Sequence, residues 1–74
     1  MNVLEVLGRS GDIKVEWDPN DEESVAQARA EFDALKSGQG MAIMKILPDG
    51  STERADEFDP AIGRYVGIPQ LVGG

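Results

Sequence analysis

Apolar and charged residues alternate along Ile13-Lys14-Val15-Glu16-Trp17. A period of two places Ile13, Val15 and Trp17 on one face of a strand and the charged pair on the other. Ahead of it, residues 2–7 are rich in apolar and β-branched types and stop at Gly8-Arg9-Ser10-Gly11-Asp12, a stretch of turn formers. The two segments are expected to fold back on each other as an antiparallel hairpin. The rhythm changes after Asp18-Pro19-Asn20-Asp21. Val25, Ala28, Phe32 and Leu35 recur at helical spacing, forming one stripe with Gln27, Glu31, Asp33 and Lys36 turned away from it. The spacing predicts a helix over 21–37, capped by the polar residues before it, with Glu22 and Glu23 at its positive end and a left-handed glycine, Gly38 or Gly40, closing it.

Met41 to Leu47 predicts a third strand, with Met41, Ile43, Lys45 and Leu47 on one face and Ala42, Met44 and Ile46 on the other. Pro48-Asp49-Gly50 is a tight-turn tripeptide. Residues 52–58 carry Glu53, Arg54, Asp56 and Glu57, which suits an edge strand protected by charge. Residues 59–63 read as a turn or one short helical turn, residues 64–68 as a short last strand, and 69–74 as an extended tail. The expected fold is therefore α+β: a small antiparallel or mixed sheet of four or five strands in the order β-β-α-β-β, with one helix packed across it in a single domain spanning 1–74. The triplets Trp17-Asp18-Pro19 and Phe58-Asp59-Pro60 are alike, as expected of an aromatic anchor followed by an Asp that caps the next turn.

Composition narrows the chemistry. The 74 residues hold 7 basic and 14 acidic side chains and neither Cys nor His, which removes thiol nucleophiles, disulfides, imidazole-based triads and the usual zinc sites. The net charge of −7 repels phosphate backbones and anionic lipid, so neither nucleic acid nor membrane is an expected partner. A cytoplasmic or virion protein is expected. Asp18, Asp21, Glu22 and Glu23 cluster before the helix, and Glu53, Asp56, Glu57 and Asp59 near the fourth strand. Counted from Asp18, the positions at which a calcium loop needs Gly and Glu hold Glu23 and Arg29, which excludes an EF-hand. Capping, edge protection and solubility account for these carboxylates. No phosphate-binding glycine motif occurs, and a domain this small offers little wall for a catalytic cleft. No catalytic residue, metal or cofactor is expected, and the protein is read as a non-enzyme.

The expected partner is another protein, with a homo-oligomer or a larger assembly as the setting, since association adds apolar burial that a small domain lacks. Most aromatics are expected in the core. Tyr65, near the end of the sheet, is the one assigned to an interface, together with its neighbour Arg64 and with Leu71 and Val72 of the tail. The chain closes on Gly73-Gly74. An extended diglycine has no side chains to block a narrow active site, so its carboxylate could be activated and transferred; a plain chain end accounts for it more simply.

Two resemblances follow from these residues. The β-β-α-β-β order with Gly73-Gly74 resembles the ubiquitin-like β-grasp family, including bacterial sulfur carriers; this implies a reactive carboxylate at Gly74, clearance at Gly73 and a sheet that docks an activating enzyme. Pro69 near the tail and the lack of a basic residue after Arg64 depart from ubiquitin itself. The frame Gly11-Asp12-x-Lys14-Val15-x-Trp17-Asp18-Pro19, then Ala30-x-Phe32-Asp33, Glu57-Phe58-Asp59-Pro60, Pro69 and Gly73-Gly74, is similar to short uncharacterised proteins of bacteriophages and integrated mobile elements. It spans nearly the full length and implies a role class, a virion accessory part or an inhibitor of host machinery, without a mechanism. Three functions are thus in view: a phage-type protein-binding component, a ubiquitin-like modifier or sulfur carrier, and an acidic DNA-mimicking inhibitor whose carboxylate clusters imitate phosphates.

Overall fold

In the computed structural model, which describes residues 1–7, 13–38 and 40–68, the predicted hairpin forms from Asn2–Val6 (β1) and Ile13–Trp17 (β2), antiparallel, with Leu4 opposite Val15 and Asn2 opposite Trp17. Its turn at 8–12 and the tail at 69–74 lie outside the described residues. Alternation decides the faces: Leu4, Val6 and Trp17 are buried beneath the helix, while Lys14 and Glu16 stay exposed.

The helix α1 runs from Glu22 to Asp33, and Asp21 caps it by accepting the Glu23 N–H at 3.2 Å. It then widens into a π-helical turn, Ala34–Gly38, instead of continuing as α-helix to 37. The wider turn has local anchors. Ser37 Oγ donates to the Asp33 carbonyl at 2.6 Å, Lys36 Nζ reaches the Asp56 carbonyl, and the Met41 N–H returns to the Leu35 carbonyl at 3.2 Å. Of the two candidate glycines, Gly40 holds the left-handed conformation (φ 62°). The stripe lies as expected, with Ala28, Phe32 and Leu35 buried and Val25 packed against them.

Ala42–Ile46 (β3) leads through a turn at Pro48-Asp49-Gly50 into Thr52–Arg54 (β4). Gly50 takes φ 88°, and its N–H donates to the Leu47 carbonyl at 2.8 Å. Asp49 closes the turn by accepting the Ser51 hydroxyl (2.6 Å) and N–H (2.9 Å), which holds its carboxyl below the usual carboxylate range. The fourth strand is much shorter than the expected 52–58. Its continuation is apolar at the wrong period: Ala55 and Phe58 are both buried, so the chain leaves the edge and crosses beneath the helix layer.

Arg64–Ile68 (β5) is the finding that organises the sheet. It inserts at the centre, parallel to β1 and antiparallel to β3, giving the order β2-β1-β5-β3-β4. This mixed five-stranded sheet with one crossing helix is the α+β fold expected, and it is compatible with a β-grasp-like arrangement. Gly67 permits the close fit at the centre, since a Cβ there would lie 3.2 Å from Val6 Cγ2.

The two Asp-Pro triplets repeat one local structure. Asp18 Oδ1 accepts the Asn20 N–H and Asp59 Oδ1 the Ala61 N–H, each at 2.9 Å. They also meet in space. Trp17 and Phe58 pack edge to face at 5.0 Å, and Trp17 Nε1 donates to the Pro60 carbonyl at 3.0 Å, so the aromatic of one triplet holds the turn of the other. No helix among the described residues is long and apolar enough to cross a membrane.

Candidate functional site

Of the residues expected at an interface, Tyr65 requires correction: it is fully buried. Its ring lies 5.4 Å from Phe32, 5.8 Å from Phe58 and 6.1 Å from Trp17, at the centre of the aromatic cluster. Its hydroxyl is satisfied internally. It accepts the Asp59 N–H at 2.8 Å and donates to the Asp59 carbonyl at 3.2 Å, pinning the 55–63 connection to the core. Arg64 is exposed and pairs with Glu5 at 3.3 Å. Leu71, Val72, Gly73 and Gly74 lie outside the described residues.

Burial raises the Tyr65 phenol above its ordinary 10.0, outweighing the lowering effect of its backbone hydrogen bond at Asp59. The fold favours the neutral phenol, so this contribution is complete below the ordinary value and is lost as pH rises through the folded one. Urea unfolding of wild type and Tyr65→Phe at pH 9 and about pH 11 is expected to show wild type losing stability more steeply with pH. At neutral pH, Tyr65→Phe leaves the Asp59 N–H unpartnered and costs about 1–3 kcal/mol. Equal stability of the two proteins at both pH values would show that the hydroxyl is not held as described.

With the helix side closed over its aromatics, the opposite face of the sheet is the broad surface. Register places Val3 and Glu5 (β1), Lys14 and Glu16 (β2), Val66 and Ile68 (β5), Ala42, Met44 and Ile46 (β3), and Arg64, Arg54 and Thr52 on it. Val66 sits opposite Met44, and Arg64 opposite Ile46, so an apolar strip crosses the middle strands. Arg54, opposite Met44, joins no ion pair among the described residues. The chain as a whole carries −7, yet among the described residues this face holds three basic side chains (Lys14, Arg54, Arg64) against two acidic ones (Glu5, Glu16). Charge is thus segregated, with the acidic excess elsewhere.

The later acidic cluster is interleaved with cations. Lys36 pairs with Asp56 at 3.4 Å, Arg29 lies over the Phe58 ring at 5.8 Å, and Lys45 and Arg54 share a shallow groove with Asp56, Glu57 and Asp59. Around Asp18 and Asp21 the carboxylates cap backbone N–H groups. Among the described residues no group of three or more potential ligands is placed to hold a metal ion.

The open-face residues Met44, Val66 and Arg54 were not assigned to an interface by reading the sequence, although a signal was present. Residues 41–47 are apolar on both faces, and a single helix can cover only one. Met41 does pack against the core; Met44 points the other way. Compared with protein-family models, with curated proteins and with solved structures, the chain finds no match.

Proposed function

We propose that this protein is a non-catalytic protein-binding domain of phage type, a small accessory part of a particle, that engages its partner through the open face of the sheet. The observation that carries this reading is the charge segregation: an apolar strip of Val66, Met44 and Ile46 flanked by Arg54 and Arg64, on a chain of net charge −7. The complementary partner is an apolar protein surface rimmed by carboxylates, steered to this face and repelled by the rest of the molecule. The phage assignment rests on the sequence resemblance.

The sheet order, with β5 parallel to β1 at the centre, favours a second reading, a ubiquitin-like modifier or sulfur carrier acting through Gly73 and Gly74. One experiment separates the two. N-terminally tagged protein is isolated from phage-infected cells in three forms: wild type, Met44→Gln with Arg54→Glu, and a deletion of Gly73 and Gly74. The open-face reading expects a partner that separates on denaturation, persists in the deletion and falls about tenfold or more in the double variant, in line with loss of a charged anchor and its apolar neighbour. A partner whose mass grows covalently by this protein, only when the glycines are present, establishes the second reading. A partner indifferent to all three forms overturns both.

A further inference from the structure

Strand β2 lies at one end of the sheet, with no strand on its outer side among the described residues. The Val3 N–H donates to the Gly63 carbonyl and the Leu7 N–H to the Gly67 carbonyl, both at 3.1 Å, so odd-numbered residues of β1 direct their backbone toward β5. Even-numbered ones, Asn2, Leu4 and Val6, therefore bond Trp17, Val15 and Ile13 of β2. By the same alternation, the N–H and C=O groups of Lys14 and Glu16 point out of the sheet.

We propose that two copies of this chain associate through these edges, antiparallel, about a two-fold axis at Val15. Antiparallel strands exchange both hydrogen bonds between directly opposed residues whose backbone groups face each other. Centred on Val15, Lys14 of one copy faces Glu16 of the other, and Glu16 faces Lys14. Both hydrogen-bonded pairs are thus also opposite-charge pairs, which favour cross-strand contact. The charge pattern is self-complementary in the way an isologous interface requires.

Three further features agree. Ile13, on the helix-side face of the same strand, is 48% exposed although apolar. Beside it lies a groove of about 500 Å³ between β2 and α1, lined by Ile13, Val15, Ala28, Ala30, Gln27 and Glu31. In the paired arrangement the Val15 side chains meet on this face, and Ile13 of each copy is carried toward the other's Trp17. The opposite edge lacks this complementarity. Strand β4 has only three residues, all exposed, and a two-fold there would set Glu53 against its own copy.

This inference concerns the sheet edge; Lys14 and Glu16 also border the open face, but the residues proposed to engage a partner there, Val66, Met44, Ile46, Arg54 and Arg64, are left unchanged by its test. Its test is sedimentation velocity from about 10 µM to about 1 mM, in about 150 mM salt to screen the repulsion between chains of net charge −7. Wild type is expected to dimerise with increasing concentration. Lys14→Glu and Glu16→Lys alone set like charges opposite each other and are expected to weaken self-association about tenfold or more. Mixed in equal amounts, the two single variants are expected to pair with each other, because one edge is then wholly acidic and the other wholly basic at these positions. A carboxylate at position 14 would also face Glu5 within its own sheet, so Lys14→Gln serves as a second variant, and tryptophan fluorescence checks each fold. A wild type that stays monomeric throughout, single variants that self-associate as wild type does, or a mixture that forms no heterodimer would each overturn the proposal.

Discussion

Leu35→Asp is expected to leave the chain unfolded at neutral pH and room temperature. Leu35 is 3% exposed and sits in the π-helical turn at the end of the buried stripe. Removing a buried leucine costs about 2–5 kcal/mol through lost transfer energy and the space left behind. An ionised carboxylate in its place adds several more, because none of its neighbours in the core cluster carries a charge to pair with it. A domain of this size is expected to hold about 4–11 kcal/mol in total, so the sum consumes most or all of it. Circular dichroism and the single tryptophan, which is buried in the native fold, report the result directly. Glu31→Ala, on the exposed side of the same helix, is expected to change stability by no more than about 0.5 kcal/mol. A cooperative, wild-type-like unfolding curve for Leu35→Asp would mean that the helix does not bury this stripe.

How far each element was legible follows from where its information resides. The hairpin and helix were readable because their periods, two in β2 and three to four in α1, are local properties of the chain. The end of β4 was not, since Glu53 to Glu57 reads as a continuous charged edge and only the burial of Ala55 and Phe58 shows the chain turning inward. The central position of β5 was equally hidden. A five-residue strand with an exposed Arg64 and an interior Gly67 reads as an afterthought, yet the missing Cβ is what the approach of Val6 requires. Tyr65 was misplaced for a related reason: its neighbour Arg64 and an expected place near the end of the sheet suggest an interface, but β5 is central and the Asp59 backbone supplies both hydrogen-bond partners of its hydroxyl. The open face fared between these extremes. Its apolar residues could be assigned to one side of β3 from alternation, whereas its positive balance emerges only when three strands distant in sequence are placed in register.

The second large effect is expected from Trp17→Ala, and it tests the long-range closure of the fold. Trp17 is fully buried at the end of β2, in contact range of Phe58 (5.0 Å) and Tyr65 (6.1 Å), with its indole N–H on the Pro60 carbonyl. Truncation is expected to cost about 3–5 kcal/mol. Loss of the hydrogen bond contributes little of this, because the Pro60 carbonyl keeps a second donor, Asn2 Nδ2, at 2.9 Å. Cavity and aromatic contacts dominate, so Trp17→Phe is expected to recover most of the loss by restoring a ring against Phe58. The damage should also be directional. Without the indole, the 55–63 connection loses the wall that holds its turn, so amide exchange is expected to accelerate first at Asp59 and Ile62, whose N–H groups bond Tyr65 Oη and the Asp59 carbonyl. The amides of α1 should follow only with global unfolding. Chemical denaturation read by circular dichroism gives the total, and hydrogen exchange gives the order. Uniform acceleration across α1 and the connection would show that the 55–63 connection does not open as a separate unit, and a loss below about 1 kcal/mol would contradict the packing described for Trp17.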